Sequence, residues 1–195
     1  MARPREFDID DALENAMQAF WSYGYEATSM SDLMEAMDLQ KGSIYKAFGD
    51  KHSLFIAALE HYLNAVHEFD RKILEKGESP KKAIRTWLNT DLKNACSQSL
   101  KRGCLMVNAL NERAYRDEKV ANLITLHTAR LSKMLTKTIK RGQELKEFRS
   151  DINASDISQV IIVSLFGMLT LTKGPMNKTA SLNNVKNILK LIENK

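Results

Sequence analysis

Between Gln40 and Lys46, five side chains can donate hydrogen bonds (Gln40, Lys41, Ser43, Tyr45 and Lys46), and no carboxylate stands among them. Ile44, Ala47 and Phe48 interleave with them at helical spacing, so the donors share the outward face of one short helix. Such a face fits the DNA major groove, where Lys and Tyr reach phosphates and Gln or Lys meets base edges. Gly42, in the same stretch, has no side chain and lets the backbone come close to a duplex. Groups for catalysis or metal binding are sparse by comparison. GxGxxG, a Walker loop, HExxH and GxSxG are absent, and His52, His61, His67 and His127 form no i, i+4 pair. His61 and Glu68 on one helix face make only a two-ligand fragment, so no metal, cofactor or enzymatic turnover is expected.

A reading helix needs a bracing helix and a turn ahead of it. Ser29 and Ser31 are both candidate N-caps for a helix striped by Met30, Leu33 and Met34, with Asp32 in its first turn. Met37-Asp38-Leu39 breaks that rhythm, and Asp is among the few residues that tolerate a left-handed backbone. Gly49-Asp50 ends the reading helix, with Asp50 placed to cap another at Lys51. Upstream, Asp8 or Asp10 starts a first helix with the stripe Leu13, Ala16, Met17, Phe20 and Trp21. DNA contacts are therefore expected from Ser29, Met30, Gln40, Lys41, Gly42, Ser43, Tyr45, Lys46 and Lys51. Arg3 and Arg5 either reach a neighbouring minor groove or form a plain basic tail.

Charge enters through placement rather than total. The formal net charge is +5, yet residues 1–52 hold five Lys/Arg against ten Asp/Glu, net −5, leaving 24 against 14, net +10, for the rest. The five cations of the first part are Arg3, Arg5, Lys41, Lys46 and Lys51, in the arm, the reading helix and just after it. Cys96 and Cys104 form no CxxC motif, so a reducing cytoplasm is the expected location. MARPREFDIDD has no apolar core for a signal peptide, and Val160 to Leu171 falls short of the ~20 residues a bilayer requires.

The remaining chain reads as helical almost throughout. One helix runs from Lys51 to about Lys76, GESP breaks it, and Pro80 opens the next. CLMVNALNE gives a sixth helix, Asp117 to Gly142 a seventh, a stretch ending near Lys173 an eighth, and Leu182 to Glu193 the last. The expected fold is all-α with about nine helices: a helix-turn-helix domain over residues 1–52 and a larger helical domain over 53–195.

The first fifty or so residues resemble the DNA-binding signature of the TetR/AcrR family of transcriptional regulators. The resemblance lies in Phe20, Gly24-Tyr25, Thr28, the run KGSIYKAFGDK and Leu54, in fixed register. Asp38 departs from it, standing where the family has a turn Gly. The resemblance implies a homodimer on a palindromic operator, acting as a repressor, with a small-molecule inducer pocket among the C-terminal helices. Candidate lining residues are Tyr62, Val66, Trp87, Met106, Asn108, Tyr115, His127, Phe166 and Met168, although aromatic and Met residues at helical spacing equally make plain core. The last two helices either fill the monomer's own core or pair with a second copy through Ile161, Leu165, Met168, Leu169, Leu182, Val185, Ile188, Leu189 and Ile192. Cys104 follows Lys101-Arg102-Gly103 at a helix start, where cations and the helix N-terminus would lower its pKa and suit a sensor of electrophiles or oxidants. A buried structural thiol accounts for it as well. Two rival readings are a helical protein-interaction module that mimics a helix-turn-helix, and a small-molecule enzyme.

Overall fold

The computed structural model describes residues 7–75, 77, 79–97, 102–174 and 176–194. Arg3, Arg5 and Lys101 lie outside the described residues. Among the described residues the chain forms nine helices: α1 (Ile9–Tyr23), α2 (Met30–Met37), α3 (Lys41–Phe48), α4 (Lys51–Leu74), α5 (Pro80–Ser97), α6 (Leu105–Glu112), α7 (Glu118–Glu144), α8 (Ala154–Leu171) and α9 (Lys178–Ile192). The β-structure described amounts to an isolated bridge between Phe148 and Glu193.

Local chemistry sets most of these boundaries. Asp8, Ser29, Asp50, Asp117, Asn153 and Asn177 each accept backbone N–H bonds at the start of a helix, satisfying donors the helix itself leaves open. Ser29, not Ser31, caps α2, and Asp32 returns a bond to the Ser29 N–H to complete a capping box. Asp38 ends α2 in the left-handed region at φ 51°, ψ 43°, and its N–H reaches the Met34 and Glu35 carbonyls.

Helices α1 to α3 pack as a small unit: α1 lies against α2, and α2 and α4 both touch α3. Its centre is Phe20, edge-on to Phe55 of α4 with ring centroids 5.0 Å apart, among buried Leu33, Ile44 and Leu54. Burying a Phe or Leu contributes roughly 1.5–3 kcal/mol, so this unit rests largely on that cluster. Helix α4 then continues into the second unit, where it packs on α5, α6 and α7, while α8 lies against α7 and α9 against α5.

The last two helices differ from the expected interface. Ile161, Leu165, Met168 and Leu169 of α8, with Val185, Ile188, Leu189 and Ile192 of α9, are buried within this one chain. They pack inward toward α5 and α7, so their side chains are core; of the nine residues expected at a dimer contact, only Leu182 is exposed. On α8 the apolar groups left in solvent form another stripe, Val160, Val163 (69% exposed), Gly167 and Leu171, and on α9 Leu191 is exposed as well as Leu182.

Candidate nucleic-acid interface and internal cavity

Helix α3 presents the donors as the spacing requires. Ile44 points inward at 1% exposure, while Gln40, Lys41, Gly42, Tyr45 and Lys46 are exposed and Ser43 is half-buried. The Lys41 ammonium sits 5.7 Å from the Tyr45 ring centroid. Gln40 makes no side-chain cap, and no acid stands in the first turn, so the amides at this helix start face outward without an anionic partner. A Cβ at Gly42 would meet nothing within 4 Å, which leaves the backbone there open to a close approach. Ser29 is committed to capping α2, and Met30 is half-buried against the core. Lys51 is turned back, its ammonium 4.5 Å from the Tyr25 ring centroid.

This unit is tied to the second domain by polar contacts that cross 65 to 87 residues of chain. Glu112, at the end of α6, accepts from the Tyr25 N–H (3.1 Å) and the Glu26 N–H (2.9 Å). Arg113 pairs with Glu26 (2.7 Å) and Asp117 (3.3 Å), and its guanidinium lies 4.4 Å from the Tyr25 ring centroid. Tyr25 therefore has two cations about its ring, Lys51 and Arg113. His52 of α4 meets Asp117 at 2.8 Å. Burial works against the charged form of Asp117, yet bonds from His52, the Val120 N–H and Arg113 hold its pKa below the ordinary value.

Farther along α4, a cavity of about 280 Å³ opens between α1, α4, α5, α6, α7 and α8. Tyr62, Val66, Trp87, Met106, His127 and Phe166 line it, as the sequence suggested. Three expected residues do not. Asn108 lies two positions beyond Met106, about 200° around the helix, and bonds the Arg102 carbonyl and Lys173 instead. Tyr115 follows the end of α6 and is 73% exposed, beneath Arg116. Met168 is buried in the core but off the cavity wall, again two positions past a lining residue.

Two acids that sequence reasoning passed over also line the cavity, Asp70 of α4 and Asp91 of α5. Asp70 is 1% exposed and accepts from Trp87 Nε1 at 2.8 Å. Burial pushes its carboxyl up to about 7, and burial together with the nearby Asp70 charge pushes Asp91 well above the carboxylate range. Burial also holds His127 down to about 4, so its imidazole is neutral at pH 7. Cys104 belongs to the same wall. Its Sγ lies 3.3 Å from the Tyr62 hydroxyl, and burial raises the thiol rather than lowering it. Arg102, expected to favour a thiolate, instead reaches Gln18 and Ser22 and lies 4.5 Å from the Trp21 ring centroid.

This arrangement has clear relatives. Residues 12–58 match the model for bacterial regulatory proteins of the tetR family, and residues 80–182 match the tetracyclin repressor-like C-terminal domain. The HTH-type transcriptional repressor ComR of Escherichia coli K12 is 29% identical over 169 residues, which is 85% of this chain and 80% of ComR. The uncharacterized HTH-type regulator YezE of Bacillus subtilis 168 is 28% identical, over 80% of this chain and 78% of its own. Among solved structures, a cysteine mutant of the TetR family regulator CifR, complexed with 26-bp double-strand operator DNA, superposes with a TM-score of 0.83 at 30% identity. That similarity covers 96% of this chain and 98% of the CifR chain. With the C-terminal model alone spanning more than half of its length, this chain belongs to the TetR family and is a helix-turn-helix, DNA-binding transcriptional regulator.

Proposed function

We propose that the protein is a homodimeric repressor that binds a palindromic operator through α3 and leaves it when a small molecule occupies the cavity along α4. One observation carries this reading: α4 contributes Leu54 and Phe55 to the core under the reading helix and Tyr62, Val66 and Asp70 to the cavity wall. A single rigid element therefore touches both sites. The operator complex of the similar CifR mutant and the repressor ComR support the DNA half of the reading. The exposed α8 stripe of Val160, Val163, Gly167 and Leu171, with Leu182 of α9, is the surface on which a second copy would sit. Two-fold symmetry then supplies two α3 helices for two operator half-sites. The ligand must bind the released arrangement more tightly than the DNA-bound one, and that difference sets how far it shifts the equilibrium.

The test is footprinting on the protein's own upstream DNA across a salt series. Protection of an inverted repeat, lost at least a hundredfold when Tyr45→Ala and Lys46→Ala are combined, is the expected result. Binding that collapses with salt and ignores both substitutions would be non-specific phosphate contact and would overturn the reading. The thiol alternative is weaker on this geometry, because a raised pKa disfavours the reactive thiolate at Cys104. Cys104→Ser is expected to leave release by oxidants and electrophiles unchanged, and loss of such release would restore the sensor.

A further inference from the structure

The cavity wall carries an uneven chemistry. Most of it is apolar or aromatic, including Trp21, Phe69, Leu131 and Phe166. Against that stand two carboxyl groups, and no Lys or Arg is among the described lining residues. Asp70 accepts one described hydrogen bond, from Trp87. His127 adds an independent sign of a missing partner: the residue is 4% exposed, lines the cavity, and its buried Nδ1 has no hydrogen-bond partner. Buried polar groups are nearly always bonded, so a set left open around a void points to a ligand that completes it.

We propose that this cavity is built for a ligand with an apolar, ring-sized body and a protonated amine, its ammonium held by Asp70 and Asp91 with His127 as a further acceptor. The charge balance from every surrounding helix agrees. Tyr62 on α4 and Cys104 before α6 are both raised and therefore neutral, while His127 on α7 is depressed and neutral, with His67 and Arg130 nearby adding to that depression. Only the acids of the wall gain charge near neutral pH, and an arriving cation favours their ionised form by compensating for burial. An anion would meet two acids and no compensating cation. A neutral hydrocarbon would leave the carboxyls and the imidazole unsatisfied. At about 280 Å³ the space lies at the small end of ligand pockets, which suits a compact amine rather than a large drug.

The inference rests on the proposed function only in taking this cavity as the effector site, and it is tested by binding alone, without DNA. Calorimetry on the full chain compares three probes of matched shape: 2-phenylethylamine, its uncharged analogue propylbenzene, and 3-phenylpropanoate. The amine is expected to bind at least tenfold more tightly than either of the others. Its binding is also expected to release protons, seen as a heat that varies with the buffer's ionisation enthalpy, because the acids ionise as it enters. Asp70→Asn keeps an acceptor for Trp87 and Asp91→Asn removes a buried acid, so both variants are expected to fold, which melting curves check. Each is expected to weaken the amine tenfold or more while leaving propylbenzene unchanged or tighter. Equal binding of the three probes, preference for the carboxylate, indifference of both variants, or no binding of the amine up to about 10 mM would each overturn the inference. An amine that binds as described yet leaves operator affinity unchanged would instead overturn the effector reading and leave the ammonium site standing.

Discussion

Gly142 lies in the last turn of α7, where helix propensity alone would favour Ala by about 1 kcal/mol. A methyl group there would overlap the fully buried ring of Phe148, and overpacking costs roughly 1–3 kcal/mol. The clash outweighs the propensity, so Gly142→Ala is expected to lower stability by about 1–2 kcal/mol in urea denaturation. A stabilised variant would mean that the 145–149 turn yields. Asp70 makes a second, pH-dependent prediction. Its native pKa of about 7 lies above the unfolded value near 3.8, so the folded chain holds a proton that the unfolded chain has lost. Its stabilising effect is full below pH 4 and is lost as pH rises to 7, on the order of 4 kcal/mol in all. His127 works in the opposite sense: depressed to about 4 from 6.5, it stabilises fully above pH 6.5 and loses that effect as pH falls toward 4. Asp70→Asn therefore removes only the first slope. Relative to the parent, this variant is expected to gain stability progressively from pH 4 to 7 and to hold the gain above, as melts at pH 5 and pH 8 would show. A constant difference between the two would refute the buried, protonated carboxyl.

Among the elements, the α6–α7 corner is one of the contacts that join the helix-turn-helix unit to the rest of the chain. Glu112→Ala deprives the Tyr25 and Glu26 N–H groups of their acceptor, a loss of roughly 0.5–1.5 kcal/mol for such partly solvated bonds. Amide exchange at Tyr25 and Glu26 is expected to accelerate while α8 keeps its protection; unchanged exchange would show that the corner is not holding this turn. Several helix starts were legible in the sequence because they are local: Asp8, Asp50 and Asp117 act on N–H groups two or three residues away; the last helix, expected from Leu182, instead starts at Lys178 behind its Asn177 cap. The outward polar face of α3 was legible for the same reason, since a short amphipathic helix has only one polar side. Faces of α8 and α9 were not. A helix apolar on nearly all sides does not say which stripe meets its own chain, and the choice fell on Ile161 and Leu165 when Val160 and Val163 are the exposed pair. Asp70 and Asp91 were hidden differently. An acid on a helix is solvated by default, and only the fold brings Trp87 from 17 residues away to meet Asp70.

For the molecule as a whole, the exposed α8 stripe makes a direct test of assembly. Under two-fold symmetry every substitution there occurs twice across the contact. Val160→Glu with Val163→Glu is expected to give a folded monomer in sedimentation, with operator affinity reduced at least a hundredfold because one α3 must then hold the site alone. An intact dimer would place the interface elsewhere. The charge division found in the sequence also gains meaning at this scale. The net −5 of residues 1–52 spans α3, so if the acid-free face of α3 carries the DNA contacts as proposed, salt should affect binding through few phosphate contacts.

The cavity wall contains both tryptophans of the chain, Trp21 and Trp87. All of the protein's indole fluorescence therefore originates beside the cavity proposed to take a small molecule, and none comes from α3. Trp87 donates its N–H to Asp70, so its emission is expected to change with the ionisation of that carboxyl, while Trp21, bonded to the Gly103 carbonyl at 3.2 Å, is expected to respond to the start of α6. A Trp21→Phe chain would report the first signal alone. An indole titration in a cuvette is therefore expected to show whether a small molecule enters the cavity, without label, operator or partner.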